Sequence, residues 1–235
     1  MTATKIALIT GANKGIGFEA ARQLAQRGFY VLIGARQALA GQDAAKKLTG
    51  EGYEAEYILL DVSSDASVEE AACAVGEKHR RMDVLVNCAG IQDDAVRPSQ
   101  LSIAALQKTL ATNLEGPIRV CKAFLPLLGK SSDARIINVS STWGSIAALS
   151  KMKAQVPGYH ISKAALNMWT VMLAQDLRRA RIKVNSICPG WVKTDMGGAG
   201  APRTVAQGAA IITKLATQED SPTGGFFDDA GTVAW

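Results

Sequence analysis

Apolar residues in this chain fall into two alternating patterns. Short, nearly continuous runs rich in β-branched residues recur at 5–10 (KIALIT), 29–34 (FYVLIG), 55–60 (AEYILL), 83–88 (DVLVNC), 135–140 (RIINVS) and 182–188 (IKVNSIC). Longer stretches with helical spacing lie between them. In 15–27, Ile16, Ala20, Ala21, Leu24 and Ala25 share one face, and 37–50, 65–80, 102–129 and 158–180 behave similarly. A strand that is apolar throughout is buried on both sides. Such strands alternating with helices predict an α/β fold, a parallel sheet covered by helices on both faces. A short run near 223–227 (TGGFF) reads as a last edge strand. No repeat, Pro-rich linker or charge block divides the chain, so one domain over 1–235 is expected. Residues 196–202 (MGGAGAP) are the one low-complexity stretch, and their glycines suggest a mobile loop.

Composition narrows the function. Apolar residues make up 48% and charged residues 20%, an ordinary globular balance. No apolar run is long enough to span a bilayer, so no membrane partner is expected. The N-terminal MTATKIALIT lacks a basic region followed by a long apolar stretch, so no signal peptide is expected. Cys73, Cys88, Cys121 and Cys188 are scattered without a CxxC pair, and there are two histidines. They read as free thiols of a cytoplasmic protein, with no metal site. The net charge of +5 is dispersed, without a basic stripe carrying interleaved aromatics, which argues against nucleic acid. An anionic small ligand suits it equally well.

The stretch TGANKGIG at 10–17 sits between the first strand and the first helix. Glycines admit positive φ and close approach to a ligand, and a helix N-terminus offers free N–H groups and the positive end of its dipole. That is a ready pyrophosphate site. The spacing is GxxxGxG, not the common GxGxxG. A purely structural strand–helix turn is the alternative. In an NAD-type site an acid ends the second strand and binds the ribose 2′-hydroxyl. Here 29–34 runs into Ala35 and Arg36 with no acid. Lys14 and Arg36 therefore bracket a 2′-phosphate, or are two solvated surface cations.

Tyr159 and Lys163 in YHISK are i and i+4 and share a helix face. A nearby ammonium stabilises phenolate and lowers the tyrosine pKa, fitting Tyr159 for proton transfer near neutral pH. Ser141 ends a strand and is placed to hydrogen-bond a substrate oxygen. His160 follows Tyr159, points off the reactive face and reads as structural. Pro117 lies four residues after Asn113 and has no N–H, so the Asn113 carbonyl loses its helical donor. The expectation is a break in the helix near Asn113, serving either a freed carbonyl or packing.

Taken together, the motifs TGANKGIG, LDV at 60–62, NCAG at 87–90, TNLEG at 112–116, NVSS at 138–141, YHISK at 159–163 and CPGWVKTDM at 188–196 resemble the short-chain dehydrogenase/reductase family. The carbonyl reductase branch is the nearest in pattern. The resemblance covers nearly the whole chain. It implies a Rossmann-like, doubly wound sheet of seven parallel strands and pro-S hydride transfer from NADPH to a carbonyl. Tyr159 is then the acid/base, Ser141 orients the carbonyl (with Ser140 the fallback), and Lys163 lowers the Tyr159 pKa and binds the nicotinamide ribose. Asn113 holds a relay water. The resemblance places Gly11, Asn13, Lys14, Gly15, Ile16, Gly17 and Arg36 on the phosphates. It sets Asp61 and Val62 beside the adenine, and Asn87, Ala89 and Gly90 on the cofactor floor. Pro189, Gly190, Val192 and Thr194 embrace the nicotinamide.

Some features depart from the pattern. Cys88 replaces the commoner second asparagine, which removes an amide from the sheet. The gap between Ser141 and Tyr159 is somewhat wide, and its insert is expected to wall the substrate pocket; it carries Met152 and two lysines. Trp143, Trp191 and Met196 flank the motifs and suggest an apolar pocket for aromatic or bulky carbonyls, with core packing the alternative. Loops 143–157 and 193–205 are expected to select the substrate. The expected activity is reversible NADP(H)-dependent carbonyl reduction. The competing readings are an NAD-preferring sterol or sugar-alcohol dehydrogenase, and a non-catalytic NADP(H)-sensing regulator. A monomer and a homo-oligomer pairing through 102–129 and 158–180 are both compatible with the sequence.

Overall fold

The computed structural model describes residues 4–150 and 156–235. Eight strands form one sheet in the order β3-β2-β1-β4-β5-β6-β7-β8. The six runs that the sequence marks as strands are β1 (Ile6–Thr10), β2 (Tyr30–Ala35), β3 (Ala55–Leu59), β4 (Val84–Asn87), β5 (Arg135–Val139) and β6 (Lys183–Ile187). All pair in parallel. Their continuous apolarity has the expected cause. Alternate side chains serve two cores. Ala7, Ile9, Val31, Ile33, Val84, Val86 and Ile137 pack under α1 (Gly15–Ala25), α2 (Ala38–Gly50) and α8 (Val205–Thr217). Ile6, Leu8, Leu32, Leu85, Ile136 and Val184 pack under α3 (Asp65–His79), α5 (Gly116–Leu128) and α7 (Pro157–Asp176).

The expected seven parallel strands become eight. β7 (Phe226–Asp228) adds parallel to β6, and β8 (Gly231–Thr232) turns back antiparallel, pairing Phe227 with Thr232 and Asp228 with Gly231. The Asp228 carboxylate closes the tight turn by accepting from the Ala230 and Gly231 N–H groups at 2.9 and 3.1 Å. A two-residue strand carries too little periodicity to be seen in the sequence.

The stretch 102–129 is one rod of mixed pitch. α4 (Ile103–Leu110) passes into a π turn over Ala111–Glu115 and then into α5. The Gly116 N–H reaches back to the Ala111 carbonyl, five residues away. The break expected near Asn113 is therefore a widening. The helix continues, and Pro117, which cannot donate to Asn113, sits where the wide turn relaxes into α5. A short helix, α6 (Ile146–Leu149), precedes α7. The insert residue Met152 lies outside the described residues.

β1 pairs with β2 on one side and β4 on the other, so the chain reverses its winding between β1 and β4. In open α/β sheets, ligands bind in the crevice at the carboxyl ends of the strands at this switch point. The turn after β1 and the segment after β4 both open there.

Candidate active site

The two loops at the switch point touch through their backbones. The Thr10 hydroxyl accepts from the Cys88 and Ala89 N–H groups, both at 3.0 Å. Gly11 has φ +67°, and a Cβ there would lie 2.9 Å from the Ala89 Cα. Gly17 needs its bare Cα as well: a Cβ would meet the Gly11 carbonyl at 2.6 Å. The glycine turn thus holds the start of α1 against the β4 loop. α1 has no side-chain cap and no acid in its first turn. Its N–H groups and positive dipole end are left to an anion.

Charged groups border this turn. Lys14 pairs with Asp195 at 2.5 Å, both largely exposed. The Thr194 methyl faces Gly15, 3.5 Å from where a Cβ would stand. Arg36 is exposed past the end of β2, where no acid follows. Asp61 is held below the usual carboxylate range, chiefly by the Ser63 hydroxyl bonded at 2.6 Å, with Arg36 adding to the effect. Val62 beside it is buried.

Beneath the crevice, Asn87 donates to Asn138 Oδ1 at 2.8 Å, and Asn138 donates to Thr170 of α7 at 2.9 Å. This ladder ties β4, β5 and α7 together. It also answers the loss of an amide at Cys88: the Cys88 N–H is held by Thr10, and burial pushes its thiol up to about 11. Gly90 leaves a gap in which a Cβ would stand 3.5 Å from Asn113 Oδ1 and 3.7 Å from Lys163 Nζ.

Tyr159 and Lys163 lie one turn apart near the start of α7, and Lys163 Nζ stands 5.5 Å from the Tyr159 ring centroid. Lys163 is 4% exposed, and burial pulls its ammonium down to about 8. Its Nζ donates to the Val139 carbonyl at 2.8 Å. The expectation that Lys163 lowers the Tyr159 pKa is not met in this geometry. Burial pushes the phenol above its ordinary value, and the Ser141 hydroxyl, as a hydrogen-bonding partner, works in the opposite direction. The ammonium is directed to the strand carbonyl, so burial prevails. Of the two serines, Ser141 is the one that acts on the phenol. Ser140 is buried, and its hydroxyl reaches the Lys163 carbonyl at 3.5 Å. Ser141 Oγ also accepts from the Trp143 N–H at 3.1 Å.

Asn113 is fully buried in the π turn. Its amide grips Ile91 from both sides and donates to Ser162 Oγ at 3.0 Å; Ser162 in turn donates to the Tyr159 carbonyl at 2.8 Å. Asn113 is thereby locked to α7.

The segment after β6 is held by contacts that the sequence did not reveal. Gly190 has φ +78°, and a Cβ there would stand 2.6 Å from Arg203 Cδ. Arg203 pairs with Asp229, and Val192 bridges to Arg203 through the backbone. The glycines of 196–202 suggest a mobile loop from sequence. Gly197 instead serves close approach, since a methyl there would overlap the Val192 carbonyl, and its own carbonyl accepts from Trp191 Nε1 at 2.8 Å. Trp191 is 60% and Met196 46% exposed. Trp143 meets the Tyr159 ring edge-on at 6.1 Å and stacks on His160 at 4.9 Å. It lines a cavity of about 120 Å³ with Ile146, Leu149, His160, Ile161 and Ala164. At about 100° per residue, those α7 positions look away from the Tyr159–Lys163 face. Neither Trp191 nor Met196 borders that cavity.

Thr10, Asn138 and Ser162 join the site without having been singled out. For Asn138 the signal was present, a lone amide inside an apolar strand. Among the described residues, no cluster of His, Cys, Asp or Glu is arranged to hold a metal ion, and no helix is long and apolar enough to cross a membrane.

The short chain dehydrogenase family profile matches residues 5–203. Carbonyl reductase [NADPH] 1 of Sus scrofa is 30% identical, over 99% of this chain and 94% of that protein. Short-chain dehydrogenase anuI of Penicillium roqueforti is 34% identical, over 97% and 95%. Among solved structures, NADPH-bound carbonyl reductase from chicken fatty liver superposes with a TM-score of 0.90 at 32% identity, covering 99% of both chains. Matched along most of its length by profile, sequence and fold, the chain belongs to the short-chain dehydrogenase family and is carbonyl reductase-like.

Proposed function

We propose that this protein is an NADPH-dependent oxidoreductase that reduces ketones or aldehydes and runs in reverse as an alcohol dehydrogenase. The observation that carries the reading is the grouping of Tyr159, the Ser141 hydroxyl beside it and the buried Lys163 one turn along the same helix. The NADPH named with its carbonyl reductase relatives supports the cofactor.

The residues present fit a dinucleotide phosphate. The uncapped N-terminus of α1 and the bare backbone at Gly11, Gly15 and Gly17 would receive the pyrophosphate. Asn13 and Ile16 complete that turn. Lys14 and Arg36, with no acid after β2, would take the 2′-phosphate. Asp61 and Val62 would flank the adenine, and the Ala89–Gly90 backbone above Asn87 would form the floor. Pro189, Gly190, Val192 and Thr194 would close the nicotinamide end. When bound, NADPH supplies the hydride.

The chain's own residues then manage oxygen and proton. Ser141 donates to the substrate carbonyl oxygen and stabilises the negative charge that grows on it. Tyr159 gives that oxygen its proton. Burial keeps the phenol protonated, the form required of the acid in reduction. The Lys163 ammonium, held on the Val139 carbonyl one turn along the helix, would bind the nicotinamide ribose. Asn113 sets the position of α7 through Ser162, and its turn carbonyl is the proposed seat of the relay water. Trp143, at the edge of the Tyr159 ring, is proposed to border an apolar carbonyl substrate, with Trp191 and Met196 on the outer loop. A cytoplasmic location accords with the unpaired cysteines.

The test follows reduced nicotinamide absorbance against a panel of ketones, aldehydes and quinones, with NADPH and NADH, for the wild type and Tyr159→Phe. Turnover with NADPH preference and a nearly inactive Phe variant supports the reading. NADPH binding without turnover of any carbonyl supports a nucleotide sensor instead.

A further inference from the structure

The helix that carries Tyr159 and Lys163 has no cap of its own. The residue before it, Val156, makes no side-chain bond to the first turn. Pro157 has no N–H, so the Gly158 N–H is the first free donor of α7. Its partner comes from 64 positions away: Asp94, in the loop after β4, accepts from the Gly158 N–H through Oδ2. Asp94 is 4% exposed, and its Oδ1 is buried with no partner among the described residues. Gly158 is bare where this carboxylate sits, since a Cβ would stand 2.8 Å from Oδ2. A buried carboxylate on the positive end of a twenty-residue helix is a strong anchor.

The same loop holds the other side of the site. Three residues earlier, Ile91 is gripped by Asn113 through both its N–H and its carbonyl. The stretch 91–94 is therefore a strut with one end on the π turn and the other on the residue next to Tyr159.

We propose that Asp94 is a positioning residue: by capping α7 at Gly158 it fixes the Tyr159 phenol relative to Asn113 and the bound carbonyl. This rests on the reading of Tyr159 as the acid/base. The cap acts on the position of the reacting proton. Displacement of a catalytic group by about 1 Å costs up to about 100-fold in rate.

The experiment compares Asp94→Ala, Asp94→Asn, Gly158→Ala and Tyr159→Phe with the wild type. It measures kcat and KM for one reducible ketone, NADPH binding by fluorescence, and thermal unfolding. Asp94→Ala lowers kcat by about 10- to 100-fold while NADPH affinity stays within about 2-fold. Asp94→Asn, which keeps a carbonyl for the Gly158 N–H, recovers most of that loss. Gly158→Ala, which pushes the carboxylate off without removing it, follows Asp94→Ala. An Asp94→Ala enzyme with wild-type kcat overturns the proposal. So does an Asn variant as slow as the Ala variant, because charge and not capping would then matter. Parallel loss of NADPH binding also overturns it, showing general damage to the fold. An active Tyr159→Phe enzyme sinks the acid/base reading itself, whatever Asp94 does.

Discussion

Asn113 holds Ile91 by both of its backbone polar groups: Nδ2 donates to the Ile91 carbonyl at 2.9 Å, and Oδ1 accepts from the Ile91 N–H at 2.8 Å. No smaller side chain can do both. Asn113→Ala leaves a donor and an acceptor unpaired in a closed place, each costing about 1–3 kcal/mol. The expected loss of stability is about 2–4 kcal/mol, read from urea unfolding. Asn113→Asp keeps the acceptor but loses the donations to Ile91 and Ser162, so it does not restore stability. Unfolding of the Ala variant at the wild-type urea midpoint would remove the clamp from the structural argument.

Burial of Lys163 links stability to pH. Its folded pKa is pulled down to about 8 from 10.5. Between those values the unfolded chain binds more protons than the folded one, so this contribution makes stability rise with pH. The burial cost is fully present below the folded pKa and fades as pH climbs toward the unfolded one. Cys88, pushed up to about 11, works the other way only above its ordinary value of 9.0. Lys163→Met removes the cost at every pH. The wild type should therefore gain on the variant by on the order of 1 kcal/mol between about pH 7 and about pH 9. A stability difference that stays constant over that range would mean Lys163 is not desolvated.

Five of the predicted strands, β1, β2, β4, β5 and β6, were legible because each lies between two cores, which forces apolar residues onto both faces; β3, at the sheet edge, is only partly buried. α8 left no clear periodic signal in the sequence, although Thr204 and Gln207 form a reciprocal capping box at its start. Pro117 marked the irregular turn, but sequence alone did not separate a break from a π widening. In the site, the spacing of Tyr159 and Lys163 was enough to place both on one face. The direction of the Lys163 ammonium was not, because it depends on the Val139 carbonyl of a neighbouring strand. Asp94 carried no sequence signal at all. Its partner is 64 positions away and is a backbone N–H, which any residue but proline supplies.

Lys14 and Arg36 should discriminate between the two nicotinamide cofactors. Lys14 is held by Asp195 across the mouth of the crevice, an exposed pair of the kind that contributes little to stability. A 2′-phosphate offers a stronger, doubly charged partner. Lys14→Ala and Arg36→Ala should each cut kcat/KM for NADPH by about 10-fold or more while leaving NADH nearly unchanged. Asp195→Asn, which frees Lys14, should leave NADPH use intact or improve it. Equal losses with both cofactors would place these cations elsewhere than on the 2′-phosphate.

The loop glycines separate close packing from slackness. A methyl at Gly197 overlaps the Val192 carbonyl and comes within 3.4 Å of Trp191 Cδ1, whereas a methyl at Gly200 meets nothing within 4 Å. Gly197→Ala must therefore displace the segment that carries Trp191 and Thr194, at a cost of about 1–3 kcal/mol. It should also raise KM for a bulky ketone, because the Trp191 ring is bonded to the Gly197 carbonyl and moves with it. Gly200→Ala should stay within about 0.5 kcal/mol of the wild type and leave KM alone. The measurement is thermal unfolding with ketone kinetics on both variants. If both alanines are harmless, the loop accommodates a methyl anywhere and its glycines serve mobility. If only Gly197→Ala fails, the loop is a fixed wall whose shape Trp191 completes.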